Sequence, residues 1–328
     1  MTSAVIIRET ACAKINLYLR VGARRPDGFH DVLTLMRRVS LADTLKCTFA
    51  KAENTSVHVM TEGADTSLPT GADNLAARGV LAVLQAAKAT ASVTVRLQKN
   101  IPTAAGLGGG SSDAAAAMRA ANRFLGGRFT DAGLECMAAS IGSDVPFFIT
   151  GRTALCYGHG ECLAPVPSAF DGGCVILAGR EPSATAAAYA ALDAARAGIA
   201  SENAAAPSAS AQNDPPSPAF DRPGYSSTAA EENGSGKAEA FFARFLPHPD
   251  FSRFSPADLY NDFEAPVSRL CPSVPLHLAA LRDVGAISAA MSGSGSATFG
   301  LFPTADTAEK AAEVLRGQGF TAFSAALL

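Results

Sequence analysis

Tryptophan is missing from this chain of 328 residues, and that absence excludes nothing. Other absences exclude more. Seven cysteines occur, at 12, 47, 136, 156, 162, 174 and 271, and no two have C-x-x-C spacing. An odd count without that spacing argues against a disulfide framework or a structural zinc site. Most of these thiols read as small buried hydrophobes. The five histidines include no H-E-x-x-H pair. No apolar run reaches the ~18–20 residues that cross a bilayer, so no membrane partner is expected. The opening MTSAVIIRETACAK lacks the charged and apolar regions of a secretory leader, so a cytoplasmic protein is expected. A basic excess is missing too. Lys and Arg number 27 against 30 Asp and Glu, a net charge of −3, which predicts no nucleic-acid partner. What remains is 48% hydrophobic and 17% charged, a globular composition long enough for two domains or one large one.

Alternation of apolar and polar residues predicts strands over 5–20, 56–60 and 92–97, and a strand pair within 39–50. Helical spacing predicts helices over 74–87 and 112–124, the second stopped by Gly126 and Gly127. A third is expected from Thr130, as N-cap, to about 141. Strands mixed with helices indicate an α+β or α/β architecture without a regular βαβ repeat. From about 200 to 237 the chain turns rich in Pro, Ser, Ala, Asn and Gly. Few large apolar residues offset its ordering entropy there, so an inserted loop of low complexity is expected. The pattern resumes at 241. It predicts a helix over 276–284, a glycine hairpin over 289–302, a helix over 305–318 and a last strand over 321–327.

Three motifs carry chemistry. In 101–113, IPTAAGLGGGSSD, a strand enters a glycine loop that opens a helix near Ser111 or Ser112. Gly106, Gly108, Gly109 and Gly110 let backbone N–H groups approach a ligand closely. The N–H groups and dipole at a helix N-terminus favour phosphate. The serine hydroxyls add donors, or a ligand for Mg²⁺. The spacing matches neither G-x-x-x-x-G-K-[ST] nor a full G-x-G-x-x-G. A glycine turn with a serine cap is the bland alternative. In the second motif, Lys14 and Asn16 share one strand face. They suit a phosphate and a substrate hydroxyl, or merely a solvated face. The third, Ser292-Gly293-Ser294-Gly295, reads equally well as a plain glycine hairpin.

In this order the three motifs resemble the GHMP kinase superfamily. That resemblance covers nearly the whole chain outside 200–237. It implies a two-domain α+β GHMP kinase fold, with an N-terminal ATP-binding domain over 1–165. A smaller ferredoxin-like C-terminal domain over 166–328 would carry the insertion. The loop residues Pro102, Thr103, Ala104, Ala105, Gly106, Leu107, Gly108, Gly109, Gly110, Ser111 and Ser112 would hold ATP. The segment 292–295 would be the C-terminal glycine motif. Thr103-Ala104-Ala105 departs from the family pattern, which often has Met and Gly there.

Further segments narrow the resemblance. AKINL at 13–17 and RPDGFH at 25–30 are similar to the 4-diphosphocytidyl-2-C-methyl-D-erythritol kinase family. So are DNL at 73–75, SDVPF at 143–147, GHGE at 158–161 and NDFE at 261–264. The resemblance implies transfer of the γ-phosphoryl of ATP, with Mg²⁺, to the 2-hydroxyl of 4-(cytidine 5'-diphospho)-2-C-methyl-D-erythritol. Asp144 would be the catalytic acid residue and Lys14 its partner, with Asn16 beside them. Phe29 and Tyr189 would sandwich cytosine, with Thr185 near Tyr189, while His30 reads its edge. Asn74 and Lys99 would lie near adenine and phosphates. Asp144 by itself also reads as a helix N-cap ahead of Pro146, and His30 by itself as a structural histidine. The expected partner is this small molecule, on a monomer or weak homodimer. Two rivals stand beside it: a homoserine- or mevalonate-type GHMP kinase, and a nucleotide-binding protein without turnover.

Overall fold

The computed structural model describes residues 4–63, 68–167, 170–179, 181, 184–205, 241–245 and 248–328. Two long antiparallel strands, β1 (Val5–Arg24) and β2 (His30–Lys51), form its spine. The strand pair expected within 39–50 is instead part of the single 22-residue β2. That segment holds no Gly, Pro or Asn to turn the chain, and β1 pairs with it from end to end. Around this spine stand β3 (Ser56–Gly63), β4 (Ala91–Lys99), β5 (Ala154–Gly158) and β6 (Cys162–Pro165). With β8 (Tyr260–Asn261) they make a seven-stranded sheet of path β3-β4-β2-β1-β8, extended from β2 through β5 to β6.

Helices α1 (Leu75–Ala86), α2 (Gly109–Phe124) and α3 (Asp131–Ala139) cover one sheet face. Their alanine-rich surfaces pack against Leu45, Phe49, Val93, Val95 and Leu97, all nearly inaccessible. Alternation along β4 supplies that apolar face, Ala91, Val93, Val95, Leu97, while the even-numbered residues between them face out. The caps follow the sequence: Asn74 Oδ1 accepts from the Ala76 N–H, and Thr130 accepts from the Gly133 N–H. One helix begins earlier than expected. α2 starts at Gly109, capped by Gly108 in the left-handed region without any side-chain cap. Ser111 and Ser112 therefore sit inside the first turn, and the serine-cap reading falls.

The second sheet is antiparallel, ordered β11 (Ala322–Ala326), β7 (Gly173–Leu177), β10 (Thr298–Phe302), β9 (Ser288–Met291). The four-residue α4 (Phe147–Thr150) precedes β5. Helices α5 (Thr185–Ala205), α6 (Glu264–Leu270), α7 (Ser273–Asp283) and α8 (Ala305–Gly317) complete the chain. Taken in chain order, the strands of this second sheet run 4-1-3-2, the ferredoxin-like βαββαβ arrangement. Residues 201–205, expected to open the loose insertion, are instead the last turn of α5. The alanine-rich run through 205 explains this, since alanine is the best helix former. The remainder of that expected insertion, 206–237, lies outside the described residues.

Candidate active site

A cleft of about 540 Å³ opens where loops from both sheets meet. Its floor is the 102–111 loop and its walls include Lys14, Asn16, Asp144, Thr185 and Tyr189. Register irregularities in the β1–β2 ladder flank Lys14 and Asn16. Residues 13–19 are all buried, so both faces of β1 are covered here. Lys14 and Asn16 are buried, so the solvated-face reading falls.

Lys14 Nζ donates to Asn16 Oδ1 and, at 2.8 Å, to the Gly106 carbonyl. It stands 3.7 Å from Asp144 Oδ2. Asn16 is fixed in turn by its Nδ2, which donates to Thr34 Oγ1 at 2.8 Å. Burial pushes the Lys14 ammonium below its ordinary value, and Asp144 partly opposes that. Asp144 keeps 31% of its side chain exposed and lines the cleft. It is not a helix cap, because Pro146 occupies that place on α4.

The 292–295 segment seats the glycine loop. Ser292 Oγ donates to the Gly106 carbonyl at 3.0 Å, and the Ala297 N–H donates to Ala105 at 3.1 Å. A Cβ on Gly106 would lie 2.2 Å from the Ser292 carbonyl oxygen, so only glycine allows this approach. Gly293 and Ser294 line the cleft, whereas Ser292 and Gly295 support from behind. Ser294 Oγ lies 3.2 Å from Thr185 Oγ1, the first residue of α5. Residues 102–111 all line the cleft, and Ser112 does not: it is buried beneath the loop.

Asn74 and Lys99 line the cleft with their polar atoms already engaged. Asn74 caps α1 and donates to the Pro69 carbonyl at 2.8 Å. Lys99 Nζ is held between Asp43 and Asp113, with Asp113 Oδ2 at 2.9 Å. Asp43 Oδ1 also accepts the N–H groups of Asn100 (2.6 Å) and Ile101 (2.8 Å), which pins the entry to the glycine loop. One ammonium against two carboxylates leaves a buried excess of negative charge. Burial, with Asp43 beside it, raises Asp113 to about 7 despite Lys99. Burial alone would lower Lys99, but Asp113 and Asp43 hold it above its ordinary value.

The residues expected to grip a base are not yet arranged as a sandwich. Tyr189 lines the cleft, and its ring stacks on His30 at 5.0 Å between centroids. Burial, then Asp144, raises the Tyr189 phenol to about 12, so its hydroxyl stays protonated. His30 is buried, with Nδ1 3.0 Å from the Gly22 carbonyl and Nε2 3.4 Å from Asp193. Its polar atoms thus face the protein. Phe29 is 60% exposed outside the cleft, which ends any reading of it as core. Pro182 and Ser183, before Thr185, lie outside the described residues.

Sequence reasoning assigned no role to Asp43, Asp113, His159 or Asn261. Asn261 is buried, and its Nδ2 donates to the Met291 (2.7 Å) and Gly293 (2.9 Å) carbonyls, tying β8 to the late glycine segment. The signal for Asp113 was an acid amid an alanine-rich core helix, which a buried cation must answer.

The chain matches the GHMP kinases N terminal domain over residues 74–152 and the GHMP kinases C terminal model over 242–320. A relative in Solibacter usitatus, named 4-diphosphocytidyl-2-C-methyl-D-erythritol kinase, is 35% identical over 305 residues, covering 93% of this chain and 84% of the relative. A crystal structure of 4-(cytidine 5'-diphospho)-2C-methyl-D-erythritol kinase superposes with a TM-score of 0.68 at 31% identity, covering 98% and 99% of the two chains. A homoserine kinase from Cytophaga hutchinsonii superposes with a TM-score of 0.60 at only 16% identity, covering 98% and 94%, and so shares the fold alone. With relatives at this identity matched almost end to end, the chain belongs to the 4-diphosphocytidyl-2-C-methyl-D-erythritol kinase family of the GHMP kinases.

Proposed function

We propose that the protein phosphorylates the 2-hydroxyl of 4-(cytidine 5'-diphospho)-2-C-methyl-D-erythritol with ATP, giving the 2-phosphate and ADP, a step of the non-mevalonate route to isoprenoid precursors. The observation that carries this reading is the contact of Lys14 with both Asp144 and the Gly106 carbonyl. It supports an acid–ammonium pair acting at the edge of a glycine loop suited to phosphate.

The first-turn N–H groups of α2 lack intrahelical acceptors and favour the triphosphate there. Asp144, open to the cleft, accepts the proton of the attacking hydroxyl or orients it. The hydroxyl oxygen bonds to the γ-phosphorus as the bond to the β-bridging oxygen breaks. Lys14 is poised to meet charge developing on the transferred group, and Asn16 holds its ammonium in place. The Ser111 hydroxyl is a hard oxygen donor on the cleft wall, which suits Mg²⁺ held mainly by the ATP phosphates. When bound, Mg²⁺ neutralises charge on the β- and γ-phosphates. Buried Ser112 is not placed for that duty.

Product formation from ATP with the cytidyl acceptor, run beside homoserine and mevalonate, tests this reading. Transfer to the cytidyl acceptor alone is expected. Transfer to either rival acceptor, or ATP turnover indifferent to all three, overturns it.

A further inference from the structure

Phe29 is a large apolar ring left in solvent, and its one ring neighbour among the described residues is His159. Their centroids are 5.1 Å apart with planes inclined by 30°. His159 comes from the turn between β5 and β6 and lines the cleft. The turn lies against the catalytic acid: a Cβ on neighbouring Gly160 would stand 4.0 Å from Asp144 Oδ1.

The His159 ring is held in turn by Arg25. Its Nε2 lies 3.1 Å from Arg25 Nη1. A guanidinium only donates, so Nε2 accepts and Nδ1 carries the proton. Arg25 is itself held by Asp27 at 2.7 Å and Asp31 at 3.1 Å. The 25–29 loop closes on the same residue, because the Arg25 N–H donates to the Phe29 carbonyl at 2.7 Å. The His159 N–H in turn donates to Glu161 Oε2 at 2.7 Å, which fixes the turn. A phenyl ring, an imidazole and a guanidinium thus form one supported unit at the cleft mouth. His159 packs on Phe29, which otherwise stays 60% exposed.

We propose that His159 is a positioning residue for nucleobase recognition: held by Arg25, it backs Phe29 so that the exposed surface of that ring meets the pyrimidine of a nucleoside-diphosphate substrate. This rests on the function proposed above. His159 touches no reacting atom. It acts through Phe29, by reducing the freedom that the exposed ring must lose when the base docks.

The test measures kcat, both KM values and the melting temperature for wild type, Phe29→Ala, His159→Ala, His159→Phe and the Phe29→Ala/His159→Ala double variant. His159→Ala should raise KM for the cytidyl substrate roughly threefold to tenfold, part of what a lost base–aromatic stack costs. KM for ATP and kcat should stay within about twofold, because the bonds of His159 among the described residues run to Arg25 and Glu161 and its ring contact to Phe29, away from the glycine loop and Lys14. His159→Phe keeps a ring behind Phe29 and should retain most of the affinity. The double variant should be no worse than Phe29→Ala alone, the signature of one residue acting through another. Unchanged cytidyl KM in His159→Ala, an additive double variant, or a joint loss of both KM values, kcat and melting temperature overturns the proposal. Wild type that fails to phosphorylate the cytidyl acceptor overturns the functional reading and this proposal with it. Active wild type with an indifferent His159→Ala overturns this proposal alone.

Discussion

Lys14 Nζ stands 3.7 Å from Asp144 Oδ2 while it donates to the Gly106 carbonyl at 2.8 Å. A single buried ammonium therefore joins the carboxylate proposed to take the hydroxyl proton to the loop proposed to hold the phosphates. Bonds from Lys14, Ser292 and Ala297 seat that loop directly, and Asp144 reaches it through Lys14.

Removing the acid should therefore spare nucleotide binding. Asp144→Ala should lower kcat by at least ~10²-fold, the scale of a lost acid–base or orienting group. Its affinity for ATP, measured by calorimetry, should remain within a few-fold of wild type. Activity close to wild type would move the acid's role to another residue.

The same pair fixes an alkaline limit. In the proposed mechanism Lys14 acts as the ammonium, and burial, only partly opposed by Asp144, lowers its pKa below the ordinary 10.5. As pH rises through that lowered value the ammonium is lost, so kcat/KM should fall on the alkaline side. Lys14→Arg keeps its charge throughout that range, so whatever activity it retains should lack this limb. A pH–rate profile of the two proteins reads this directly, and an identical alkaline limb in both would assign it elsewhere.

Much of this site was legible in the sequence because its signals are local. Four glycines in five positions announce a backbone that must approach something closely, and AKINL places two polar side chains on one strand face. What local pattern does not carry is the partner across the fold. Nothing near Lys14 says that both faces of β1 are covered across the fold. Nothing near Gly108 says that its own backbone, rather than Ser111, caps α2. The union of Lys99 with Asp43 and Asp113 joins residues 56 and 14 positions apart. Its cause is tertiary burial, for each charge is tolerable only beside the others. The resemblance named His30 and Phe29 together, yet the two neighbours on β2 and its preceding loop meet different rings, Tyr189 and His159.

That buried triad predicts a pH dependence of stability. In the folded protein Asp113 titrates at about 7, against an ordinary value of 3.8. A carboxylate raised on folding keeps its proton longer in the native state. Its contribution is full below pH ~4 and is lost as pH rises toward 7. Asp113→Asn removes this titration while Asp43 still pairs with Lys99. The stability of the variant relative to wild type should therefore improve between pH 5 and 8, by on the order of 1–3 kcal/mol. Denaturant melts of both proteins across that window measure it, and a constant difference would show that Asp113 is already ionised at pH 5.

Two glycines separate the glycine loop's contact with the 292–295 segment from backbone strain. Gly106 has φ +79°, and a Cβ there would meet the Ser292 carbonyl oxygen at 2.2 Å. Gly126, just past α2, has φ +73° and open space around its Cβ position. Alanine in the left-handed region costs about 1–2 kcal/mol at either site. Gly126→Ala should show that cost alone, as a lowered melting temperature with normal kinetics. Gly106→Ala must also push the late glycine segment away. Both Lys14 Nζ and Ser292 Oγ bond to the Gly106 carbonyl, so the displacement disturbs the loop and the ammonium together. KM for ATP should rise about tenfold or more and kcat should fall, since misplacement near 1 Å can cost ~10²-fold in rate. The paired measurement uses melting curves and steady-state kinetics on both variants. Equal kinetics for the two alanine variants would mean that the 292–295 segment tolerates displacement and does not seat the loop.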